Sequence, residues 1–153
     1  SIKFRKMKNL VLLTVLLVSF NALGQSETEE QPVRVCETMP KLATCADEDK
    51  VQADRCTQMT VIQLVADEIS YPKEAKSKGI SGTVYVSFIV EKDGTVNDIK
   101  VLRGVGDSPA ALALSTEAMR AVATLPEFMP GLNDKGEAVR VNMVSPVRYL
   151  LDE

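Results

Sequence analysis

The feature that most constrains this chain is a run of strict alternation over residues 83–91, closed by Lys92-Asp93-Gly94. Val84, Val86, Phe88 and Val90 fall on one face; Thr83, Tyr85, Ser87 and Ile89 fall on the other. A period of two marks a half-buried strand, and Asp-Gly between two such runs is a strong hairpin turn. Residues 95–103 are then the returning strand, with Ile99 and Val101 inward. A lone hairpin is marginal in water, so the rest of the chain must cover its apolar face.

The spacing of Met59, Ile62, Val65, Ala66 and Ile69 predicts a helix over 57–70. Thr57 is its expected cap, and Pro72 forces its end because the residue before proline avoids the helical region. Residues 72–78 form a second short helix, with Pro72 in the first turn and Gly79 as the stop. Asp107-Ser108-Pro109 opens a third, whose stripe is Leu114, Ala118, Ala121, Val122 and Leu125 and which Pro126 ends. Residues 127–135 read as a loop around Pro130-Gly131, and 137–150 as a final strand. In that strand Val139, Val141, Met143, Val147 and Tyr149 face one way; Arg140, Asn142, Arg148 and Leu150 face the other. Pro146 cannot donate to a ladder, so this is an edge strand. The order predicts an α+β domain: a three-stranded antiparallel sheet with helices packed on one face.

The amino terminus reads as a targeting segment. Lys3, Arg5, Lys6 and Lys8 precede an apolar run at 10–20, and Ala22 and Gly24 follow. This basic, apolar, small-residue layout is that of a signal peptide over 1–24, with cleavage after Gly24 and export to the periplasm. The competing reading is an inner-membrane anchor, but the run from Leu10 to Leu23 is only 14 residues, and about 20 are needed to span a bilayer core. Residues 25–56 follow as an acidic, cysteine-bearing irregular segment, and 57–153 form the domain. Cys36, Cys45 and Cys56 all lie beyond the leader. An exported chain meets an oxidising compartment, so a disulfide is plausible, and three cysteines leave one thiol free or paired between chains.

The chain contains no histidine, which removes histidine-based nucleophile activation, acid–base catalysis and metal ligation. No enzyme, cofactor or metal is expected. Beyond the leader, 14 basic residues stand against 21 acidic, a net charge of −7. That argues against nucleic acid as a partner. Glu117 and Arg120 read as a surface ion pair on the third helix. What remains is the exposed edge of the last strand. Its unpaired N–H and C=O groups are a template for an added strand, or a liability guarded by Pro146, Arg140 and Arg148.

The ordered pieces resemble the C-terminal domain of the TonB family. Tyr71-Pro72-Lys73-Glu74-Ala75, Gly79-Ile80, Gly82-Thr83-Val84 and Asp93-Gly94-Thr95-Val96 resemble its opening. Leu114-Ser115-Thr116-Glu117-Ala118 with Val122 resembles its helix signature. Pro126-Glu127-Phe128-Met129-Pro130-Gly131 resembles Pro-x-Trp-x-Pro-Gly, with Phe128 where tryptophan is usual, and Gly136, Val139-Arg140-Val141 and Pro146-Val147 resemble the final strand. The part from Met39-Pro40 through Cys45 and Cys56 is similar to a cysteine-bearing extension of Bacteroidetes-type members. That similarity implies a disulfide between Cys45 and Cys56 and leaves Cys36 as the odd thiol.

The resemblance implies capture of the TonB box, an extended segment of an outer-membrane TonB-dependent transporter, by β-strand addition in service of energy-dependent uptake. The implied peptide-binding residues are Val139, Arg140, Val141, Asn142, Met143, Val144, Ser145 and Val147, with Tyr71 and Pro72. It also implies inner-membrane proton-driven motor proteins as partners. Two departures set motor coupling apart: the apolar run is short for an anchor, and residues 25–70 do not form a Pro-rich spacer. The alternative is a stand-alone envelope interaction module whose edge closes a homodimer or docks on another protein, without energy transduction.

Overall fold

The computed structural model describes residues 30–152. The predicted leader at 1–24, whether signal peptide or anchor, lies outside the described residues. The alternating run forms strand β1 (Gly82–Val90), and β2 (Val96–Arg103) returns against it. The pair is antiparallel from Tyr85↔Arg103 to Val90↔Val96. At the turn, Asp93 accepts from both the N–H and the hydroxyl of Thr95, which holds its carboxyl below the usual range. Gly94, at φ 88°, accepts from the Phe128 N–H at 2.8 Å. A Cβ there would lie 1.9 Å from the Phe128 carbonyl oxygen, so only glycine permits this approach.

Helix α1 (Lys50–Glu68) differs from the predicted 57–70. Its cap is Asp49, whose carboxylate accepts from the Gln52 N–H at 3.0 Å. Thr57, expected as the cap, lies mid-helix and buried, and its hydroxyl accepts from the Leu42 N–H at 3.2 Å. The buried stripe is Ala53, Thr57, Val61 and Val65, while Met59 and Ala66 face solvent. Half of the true stripe is small or polar, so periodicity fastened on larger residues of the neighbouring face. Residues 50–55, read as irregular, are therefore helical. Cys45, in a short 3-10 turn (Ala43–Cys45), is bonded to Cys56 of α1, with Cα atoms 5.8 Å apart.

Helix α2 (Lys73–Ser77) is shorter than the predicted 72–78, with Pro72 at its N-cap rather than in its first turn, and Gly79 at φ 65° lies just past its end as expected. Helix α3 (Pro109–Val122) opens on Ser108, whose hydroxyl accepts from the Ala111 N–H. Ala110, Ala118 and Ala121 are fully buried on it, so it lies close to the sheet. The predicted surface pair does more than decorate α3. Glu117 accepts from the Ser70 N–H at 2.7 Å, and Arg120 reaches Glu68 at 3.0 Å, which ties α3 to the end of α1.

The predicted loop at 127–135 contains a short strand, β3 (Gly131–Leu132), paired with β4 (Ala138–Val139). The last strand is therefore interrupted at Arg140 and resumes as β5 (Val141–Tyr149). The main sheet has the order β2-β1-β5, all antiparallel, with β1 at its centre. Val84, Val86, Phe88 and Val90 pack with Val61, Val65, Leu114 and Val122 in one core. This is the α+β architecture read from the sequence: a three-stranded antiparallel sheet covered by helices.

Residues 30–42 run as a strap across β5 and β3. Val33 bridges Val141 in parallel, Thr38 bridges Leu132 and Lys41 bridges Met129. The strap crosses tightly: a Cβ on Gly131 would lie 2.6 Å from Val141 and 3.0 Å from the Cys36 sulfur. Cys36 is the free cysteine among the described residues, and burial raises its thiol pKa.

Candidate functional site

One side of β5 pairs with β1 without a break, from Val90↔Val141 to Gly82↔Tyr149. The other side faces away from the sheet. The Asn142 N–H donates to the Val33 carbonyl at 2.8 Å, and the Val33 N–H to the Arg140 carbonyl at 2.9 Å. Backbone groups alternate along a strand, so Val144, Pro146 and Arg148 also aim outward. Pro146 thus removes an outward donor and costs no bond to β1, which explains how proline sits inside a full-length strand.

The strap covers only the start of this edge. It runs parallel to β5, so residues before Val33 lead away from Val144; after Val33 the chain turns off to Thr38 and Leu132. Arg140 holds the strap in place. Its guanidinium forks onto Glu91 at 2.7 and 3.1 Å and donates to the Glu30 carbonyl at 2.7 Å. Lys92 pairs with Glu30 beside it. From Val144 to Arg148 the outer edge has no strand neighbour among the described residues.

Between α1 and this edge lies a groove of about 460 Å³. Thr57 and Val61 line its helix side, Phe88 and Ser145 its sheet side, and Arg34 and Asp54 are among its charged residues. Ser145 Oγ and Asn142 Oδ1 are buried polar atoms without a hydrogen-bond partner among the described residues, and both residues border the groove. No group of three histidine, cysteine or acidic residues there could hold a metal.

The structure puts the predicted residues 141–147 on β5 but Val139 in β4, paired with Gly131, and gives them different duties. Val139, Val141 and Val147 are core. Met143 and Ser145 face the helix side, Val144 is 48% exposed, and Asn142 and Arg140 already bind the strap. Tyr71 and Pro72 lie at the far end of β5. The Tyr71 ring meets Tyr149 edge-on at 5.5 Å, its hydroxyl donates to the Ile80 carbonyl, and Pro72 caps α2. Sequence reasoning missed Val33. Its one signal is the brief alternation Pro32-Val33-Arg34-Val35 inside a stretch read as irregular.

A family model described as Gram-negative bacterial TonB protein C-terminal matches residues 67–151. Two curated relatives, each named Protein TonB, come from Helicobacter pylori strains J99 and 26695. They are 30% and 33% identical to this chain over 95 residues, 62% of it. The chain spans about a third of their length, 31% and 30%. Two NMR solution structures of Helicobacter pylori TonB-CTD are also similar. One is 28% identical with a TM-score of 0.47, covering 62% of this chain and 80% of its own. The other is 31% identical with a TM-score of 0.42, covering 62% and 94%. No helix of the described residues is long and apolar enough to cross a membrane.

Proposed function

The chain belongs to the TonB C-terminal family, and on that footing we propose that it captures an extended segment of an outer-membrane TonB-dependent transporter. The segment adds as a strand to the outer edge of β5, between Val144 and Arg148, and serves energy-dependent uptake across the outer membrane. The reading places the domain in the periplasm and gives it a binding role rather than a catalytic one. The observation that carries it is the half-covered edge. β5 is fully paired on one side, its outward groups beyond Asn142 lack a strand neighbour among the described residues, and it tolerates proline at an outward position.

Strand addition suits the task physically. Main-chain hydrogen bonds supply affinity, and a pull along the strand is shared among several of them. Coupling to an inner-membrane proton-driven motor would depend on residues 1–24 remaining attached. Pull-down from a native envelope extract, with mass spectrometry, tests the partner. Recovery of TonB-dependent transporters by the wild type, lost in a Val144→Pro variant, is expected. Recovery of only a second copy of the chain would favour the homodimer and a stand-alone module.

A further inference from the structure

Ser145 is 1% exposed, yet its hydroxyl has no hydrogen-bond partner among the described residues. Buried hydroxyls are nearly always paired, so the orphan calls for a cause, and its position supplies one. Ser145 stands opposite Val86 on the helix-facing side of the sheet, the side that carries Phe88 and Val147. It borders the groove beneath Thr57 and Val61. The Thr57 hydroxyl already accepts from Leu42. The second orphan, Asn142 Oδ1, lies on the opposite face of β5 and is not part of this pocket. Ser145 Oγ is thus a buried, unpaired hydroxyl on the helix-facing side of the sheet, at the border of a cavity beside the open edge.

A strand added to that edge would send alternate side chains to the helix face. The residue opposite Ser145 would bring its Cβ to roughly 5 Å from the Ser145 Cβ, on the same face. Its side chain would enter the groove. A short stem meets Phe88, Met143 and Val61 there, and only a hydrogen-bonding tip can satisfy Ser145.

We propose that the groove is a specificity pocket of the peptide site, which takes one side chain of the incoming strand bearing a hydroxyl or amide on a short stem. Ser145 Oγ is its partner. This rests on the strand-addition reading and names what the edge selects. Backbone pairing alone accepts any extended segment, whereas a buried polar group rejects the isostere that cannot pair with it. Threonine and valine have nearly the same shape, so a preference between them reports the hydrogen bond.

The test uses the full chain and TonB-box peptides in which threonine and valine are exchanged at each position in turn, read by fluorescence anisotropy. At one position threonine should bind roughly 5-fold tighter than valine, and Ser145→Ala should bring that ratio close to one. A ratio near one at every position, or a preference that survives Ser145→Ala, would overturn the pocket. Amide shifts recorded on the same complexes separate the two levels. Shifts at 144–148 without a threonine preference discard the pocket alone; absence of shifts there discards the strand addition on which it rests as well.

Discussion

The Asn142 N–H donates to the Val33 carbonyl at 2.8 Å, so the outer edge of the last strand begins with a segment of its own chain. The strap occupies the positions nearest Arg140 and leaves those from Val144 onward open. The pairing with β1 fixes the parity by which Val144, Pro146 and Arg148 face outward, and the Asn142 bond reveals it.

Val33→Pro should release this segment. Proline cannot donate to the Arg140 carbonyl, and a single hydrogen bond of this kind contributes about 1 kcal/mol. The Asn142 amide should lose its protection in hydrogen exchange while amides paired with β1, such as Val147, keep theirs. Unchanged protection at Asn142 would show that the strap does not depend on this pairing.

Reduction of the disulfide between Cys45 and Cys56, separated by 11 positions, should destabilise the domain by about 3 kcal/mol. Non-reducing peptide mapping of protein from the native host should find these two bridged. Thermal melts with and without a reductant measure the cost, and coincident melts would contradict it.

Glu117 links α3 to the end of α1. Its hydrogen bond with Arg120 holds its carboxyl below the usual glutamate range. A carboxylate depressed on folding stabilises fully above its unfolded pKa of about 4.3, and that contribution is lost as pH falls through the lower folded value. Glu117→Gln should therefore lower the urea midpoint at pH 7 and flatten its decline below pH 4.3. Parallel wild-type and variant curves across this range would contradict the linkage.

Gly94→Ala should cost about 2–4 kcal/mol, because the added Cβ would collide with the Phe128 carbonyl at a positive φ. The urea midpoint reads it, and an unchanged midpoint would mean that the turn and the Phe128 loop are not locked together.

The sheet was legible because its signals are local and repeated: alternation in β1, Asp93-Gly94 at the turn, and proline at an outward position of β5. The start of α1 was not, because its first turns bury Ala53 and Thr57, which no hydrophobic pattern marks. Thr57 looked like a cap because it precedes the larger apolar positions Met59 and Ile62; its hydroxyl does accept a backbone N–H, but from Leu42 rather than from its own helix. β3 and β4 are each two residues long, too short for any period. Among the described residues the strap's backbone pairs with β5 only at Val33, and Ser145 shows its unpaired hydroxyl only once the helices close over it. Long-range pairings of single residues leave no periodic trace.

The most direct measurement is an amide chemical-shift titration of the labelled chain with a transporter's TonB-box peptide, run on the wild type and on Val144→Pro. Val144 shares the outward parity of Pro146, so the variant should keep its bonds to β1 and lose an outward donor. In the wild type, shifts should concentrate at Val144, Ser145, Val147 and Arg148, and the variant should bind at least about tenfold more weakly, as the lost donor and altered edge each cost on the order of 1 kcal/mol. Shifts confined to the helices around Ile62 or Val122, with these amides unmoved and the variant binding equally well, would contradict strand addition at β5.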